Sequence, residues 1–166
     1  MDEKAFWELI ESSRAESDGD VDALLEVLRE RLAELPSERI VAFDRIFGVL
    51  HAGAYRWDLW AAAYVIQGGC SDDSFMDFRS GLIGLGRDVY YAALSDPESL
   101  AALPGEAEEI AVEELTYVAS EAYEAATGEE LPDRESSGPS EPIGEPWDEA
   151  TVGQKYPKLA KRFGFE

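Results

Sequence analysis

The chain holds one cysteine and one histidine in 166 residues, and these two scarcities exclude several kinds of chemistry. A lone Cys70 cannot close an internal disulfide, and with only His51 beside it there is no Cys/His set for zinc. No uninterrupted apolar run reaches about 18 residues, and the opening MDEKAFWELIESS is acidic and amphipathic rather than a basic leader before a hydrophobic block. These features predict a protein of the reducing cytoplasm, with no membrane association and no cofactor. Positive charge is scarce too, since 14 Lys and Arg stand against 36 Asp and Glu, a formal net charge of -22. A field of that sign repels phosphate backbones and argues against nucleic-acid binding. It suits solubility, or an acidic face that docks a basic protein surface.

Alternating strand patterns are missing as well, and helical spacing takes their place. Phe6, Leu9, Ile10 and Ser13 mark a first amphipathic helix. Asp20 is placed to cap a second, which carries Leu24, Leu25, Leu28 and Leu32. The third has Ile40, Phe43, Phe47 and Leu50 on one stripe, with Glu38, Asp44 and Arg45 read as its polar face. From Arg56 to Gln67 the pattern is apolar nearly all round, which places that helix at the centre of a bundle. Gly68-Gly69 turns the chain, Ser71 or Asp72 caps the next helix, and Asp96-Pro97 opens another. Helical period resumes at Val112 and runs to Thr127-Gly128.

Residues 132–146 hold four prolines, two glycines and a Ser-Ser pair and read as a linker. Beyond it come Trp147, Val152, Tyr156, Leu159 and Phe163, spaced for a short helix interrupted at Pro157. The expected fold is all-α: a single-domain helical bundle of about seven or eight helices over 1–131, the linker, and a basic aromatic arm over 147–166 that docks on the domain or a partner.

Residues 55–91 are the most specified part, with eight of the eighteen aromatics and the one cysteine beside a polar turn. The opening KAFWELIE, the central IVAFDRIFGVLHAGAYRWDLWAAAYVIQGGCSDDSFMDFRSGLIGLGRDVYYAALSDPESL and the later EELTYVASEAY resemble domain of unknown function family 4240, over about residues 1–125. That resemblance implies a bacterial, commonly actinobacterial, protein with a recurring fold. It carries no activity and no catalytic residue.

Each candidate group has a plain reading beside a functional one. Asp72, Asp73 and Asp77 could hold a hard cation, but acids in a first helical turn ordinarily favour the helix dipole, and no metal site is expected. Cys70 could be a nucleophile with His51 as base, or a small buried hydrophobe. Arg56 and Arg79 are expected to pair with Asp58, Asp73 or Asp88; alternatively an arginine with Trp57, Trp60 and Tyr64 walls a site for an anionic or planar ligand. The glycines of GLIGLG depart from a nucleotide loop and fit close helix packing. The weak candidates for a ligand site are therefore Trp57, Asp58, Trp60, Tyr64, Cys70, Asp72, Asp73 and Arg79.

The functional expectation is a non-enzymatic protein-interaction or regulatory module. Its alternatives are a small-ligand or metal-binding enzyme centred on the Gly68–Asp73 turn, and an immunity or inhibitor protein that masks a basic partner.

Overall fold

Helices with one apolar stripe must bury it against one another, and in the computed structural model they do so around one continuous core. The structure describes residues 1–106, 110–135 and 138–166. Helix α1 (Glu3–Glu16) starts where the Asp2 side chain accepts the Ala5 N–H, and α2 (Val21–Ala33) where Asp20 accepts that of Ala23. Helices α3 (Ser37–Gly53), α4 (Trp57–Gln67), α5 (Asp72–Gly84) and α6 (Arg87–Ser95) follow. Two 3₁₀ segments, Pro97–Ala102 and Glu113–Tyr117, lead to α7 (Val118–Thr127), and α8 (Val152–Lys155) and α9 (Pro157–Phe163) close the chain. The fold is all-α with no strand among the described residues, and eight of its helices have at least seven residues.

The predicted stripes point inward. Phe6 and Ile10 of α1, Leu28 and Leu32 of α2, and Ile40 and Phe43 of α3 are fully buried, and the Phe6 and Phe43 rings lie 4.6 Å apart. Each such side chain contributes about 1.5–3 kcal/mol of transfer free energy. Helix α4 buries Leu59, Ala61, Ala62, Ala63, Val65 and Ile66, as its all-round apolar pattern requires. It ends at Gly68, whose φ of 70° is the left-handed conformation that glycine adopts without strain. The Ser71 hydroxyl then accepts the Ser74 N–H and starts α5.

Two readings change. The helix expected from Val112 begins as a 3₁₀ segment, because Val112 donates its N–H to the Asp77 carbonyl and draws the chain onto α5 (3.0 Å). A Cβ on Gly81 would lie 1.4 Å from the Ile110 carbonyl oxygen, so that crossing needs glycine. Asp44, assigned above to a polar face, is only 6% exposed. Parts of the acidic stretch and of the linker, residues 107–109 and 136–137, lie outside the described residues.

Candidate functional site

The end of the chain covers two faces of the bundle. On the first, Trp57 and Trp60 of α4 stack at 5.3 Å and 6°, and Trp60 stacks on Phe75 of α5 at 5.2 Å. Trp60 Nε1 donates to the Cys70 carbonyl at 2.9 Å, tying this ladder to the Gly-Gly turn. The C-terminal arm lies on it: Trp147 meets Tyr64 at 4.9 Å and Trp60 edge-on at 6.3 Å, and Phe165 meets Tyr64 at 5.9 Å. Val152, Tyr156 and Leu159 are buried in the same contact, and the Tyr156 hydroxyl donates to the Asp58 carbonyl at 3.0 Å. Glu98 accepts the N–H groups of Lys158 and Leu159 at the start of α9. The Asp58 carboxylate pairs with Arg56 at 3.3 Å and accepts the Leu59 N–H. Trp60 and Tyr64 of the aromatic wall are thus covered by the chain's own arm, with Trp57 stacked beside them on Trp60.

On the second face, residues 130–135 and 138–143 form a strap against α3. Arg134 donates from Nε and Nη2 to the two oxygens of Asp44, at 2.9 and 2.7 Å. Such forked pairs fix both distance and orientation. One turn further along α3, a Cβ on Gly48 would lie 2.8 Å from Arg134 Cδ, so the small residue makes room for the arginine stem. The strap is tied again at Ile143, whose N–H donates to the Tyr55 carbonyl and whose carbonyl accepts the Trp57 N–H, both at 2.9 Å.

Between these ties lies a groove of about 840 Å³. Its floor comes from His51 and Tyr55 on one side and Asp72 and Arg79 of α5 on the other, with Thr116 and Ser120 on the far wall. Such a volume falls within the range of small-ligand sites. The Tyr55 hydroxyl donates to the Asp72 carboxylate at 3.3 Å, and the Tyr55 ring carries the Arg79 guanidinium, whose Cζ sits 4.3 Å from the ring centroid. Arg79 is only 5% exposed. It donates from Nε to the Phe75 carbonyl and from Nη1 to the His51 carbonyl, at 3.4 and 3.1 Å. Burial lowers its pKa, with Tyr55 and Asp72 acting the other way. Arg56 makes the carboxylate pair expected of it; Arg79 has none among the described residues.

His51 lies 3.0 Å from the Met76 carbonyl through Nε2, which makes that nitrogen the protonated one. Burial, reinforced by the charge of Arg79, pushes its pKa down to about 4, so the ring is neutral near pH 7. Burial likewise pushes the Cys70 thiol up to about 12, with Asp72 and Asp77 adding to the effect. The thiol donates to the Ser71 carbonyl at 3.6 Å rather than to an imidazole. Asp73 is exposed at the first turn of α5. No group of three His, Cys, Asp or Glu side chains suited to a metal ion occurs among the described residues.

The predicted site residues therefore divide. Trp57, Asp58, Trp60 and Tyr64 belong to the arm-covered face, while Asp72 and Arg79 line the groove. A second space of about 700 Å³ borders Gly68 and Gly69 on one side and Arg162 and Phe163 on the other. Cys70 and Asp73 line neither space. Sequence reasoning missed Asp44, Gly48 and Arg134. One signal was present: Arg134 is the single base between residues 96 and 150.

Among the described residues no helix is long and apolar enough to cross a membrane. No curated protein and no solved structure matches the chain. The model of a family described as protein of unknown function (DUF4240) matches residues 1–125, which include the groove floor, the Thr116 and Ser120 wall and the whole aromatic ladder of α4 and α5, but neither strap nor arm. The chain belongs to the DUF4240 family.

Proposed function

We propose that the protein is a non-enzymatic binding and regulatory module of the bacterial cytoplasm, and that the strap-walled groove is its recognition element. One observation carries this reading: the strap is tied down on both sides of a space of about 840 Å³ that its described residues wall without filling. The groups with catalytic potential are quiet, which favours binding over turnover. The Cys70 thiol, pushed up to about 12, is not a thiolate near neutral pH, and the single imidazole is committed to the Met76 carbonyl. A free thiol on a chain with no disulfide fits a reducing compartment.

The test is a thermal-shift screen with cationic, anionic, zwitterionic and neutral small molecules and short peptides. Each hit is mapped by its ability to shield a Ser120→Cys thiol, placed on the groove wall, from maleimide. Stabilising hits that shield the thiol support the reading. A screen in which no hit shields it, or in which a hit is turned over, overturns it.

A second reading is favoured by charge. Residues 96–150 hold 17 acids and only Arg134, which makes a docking surface for a basic protein and suits an immunity or inhibitor role. Such a complex weakens as salt rises, and a salt-independent one would remove this support.

A further inference from the structure

Resting on the groove as the recognition element, we infer that Arg79 is its anion subsite and that the groove takes a ligand with one carboxylate and one cationic group. This is the chemistry of a free basic amino acid, or of the C-terminal end of a basic peptide.

A buried guanidinium normally persists by pairing with a carboxylate, and this chain has 36 acids to supply one. Arg79 instead sits 5% exposed between two carbonyl oxygens and the Tyr55 face, in the floor of the groove. Its bonds use Nε and one Nη1 proton, and Nη2 has no protein acceptor among the described residues. A planar fork with free N–H groups beside a cavity suits a carboxylate. Thr116 and Ser120 lie on the same lining, the first hydroxyl bonded to that of Ser80 and the second donating to the Tyr117 carbonyl.

Five carboxylates and two guanidiniums line the groove, and Asp44 is paired with Arg134. His51 adds no charge near neutral pH, because its Nε2 proton is given to a carbonyl and its other surroundings are the Phe47 ring and two arginines. Among the described residues of the lining, Arg79 is then the only cation left for a ligand, against Asp72, Glu124, Glu130 and Asp133. One cation can hold one negative charge. A phosphate dianion would bring a second into the company of four carboxylates, which is unfavourable. Those carboxylates favour an ammonium or guanidinium on the remainder of the ligand.

Isothermal titration of the full chain at low salt with L-lysine, L-arginine and glycyl-glycyl-lysine, each beside its carboxamide, and with inorganic phosphate, tests this. The acids should bind, and amidation should weaken them about tenfold or more, the worth of one charge-assisted bond. That comparison uses the unaltered protein, so it stands even where Arg79→Gln fails to fold; a folded Arg79→Gln should bind acid and amide alike. Equal affinity of free amino acid and peptide assigns the site to a metabolite, and tighter peptide binding assigns it to a protein terminus. Amides that bind as well as acids, phosphate that binds more tightly than the zwitterions, or no heat from any probe would overturn the inference. A neutral or purely cationic hit that shields Ser120→Cys would leave the groove as recognition element while removing this ligand class.

Discussion

The arm and the strap belong to the same C-terminal stretch, yet one fills the surface it covers and the other spans it. The arm buries Val152, Tyr156 and Leu159 and sets Trp147 against Tyr64, so apolar side chains seal the aromatic face. The strap is held by a forked ion pair and a backbone bridge, and its described residues wall a space of about 840 Å³. The difference lies in the nature of the contacts. Dispersion and burial reward contact everywhere, so they close space, whereas a few directional polar ties fix a distance and leave the intervening space open.

Removing a strap tie is the strongest way to break this contrast. Arg134→Ala leaves Asp44, whose side chain is 9% exposed, without its partner. Loss of one member of such a pair costs about 3 kcal/mol, measured by urea unfolding, and Asp44→Ala added to it should recover more than half. A cost below about 1 kcal/mol would mean the pair does not hold the strap. On the arm, Leu159→Ala should cost about 2 kcal/mol, near the low end for leucine because the arm is covered on one side only. An unchanged melting temperature would show that the arm is not docked in solution.

Acidification addresses the groove floor. His51 has a folded pKa near 4 against 6.5 for the free group, so between those values the unfolded chain binds the extra proton. Stability contributed by His51 is complete above about pH 6.5 and is lost as pH falls toward 4, by about 1–2 kcal/mol once partial solvent access is allowed for. The comparison of wild type with His51→Gln isolates it, and parallel pH profiles for the two would refute the assignment. The smallest structural consequence concerns Cys70: its thiol, held up near 12, should react with iodoacetamide about 100-fold more slowly in the native protein than in urea. Equal rates would show an accessible, ordinary thiol.

The helices were legible because their stripes are long and their stops are local. Phe6 to Ser13, Leu24 to Leu32 and the left-handed Gly68 follow from spacing and one conformational rule. The groove was not, because its parts meet across the chain. Asp44 has the type and position of a surface acid, and only Arg134, ninety residues away, explains its burial. The central aromatics signalled a site by composition, but a wall of Trp57, Trp60 and Tyr64 serves a ligand or its own chain equally well, and Trp147 decided the matter. Arg79 was legible as a candidate; that it has no carboxylate partner among the described residues is a property of three dimensions.

The contrast between a sealed face and an open groove is tested most directly by two single thiols in a Cys70→Ser background, Val152→Cys under the arm and Ser120→Cys on the groove wall. Their maleimide rates compare the opening of one surface with the standing access of the other. The account predicts that Ser120→Cys reacts at least about 100-fold faster than Val152→Cys, an opening free energy above about 2.7 kcal/mol for the arm. Rates within about threefold of each other would contradict it, since both surfaces would then be equally open or equally closed.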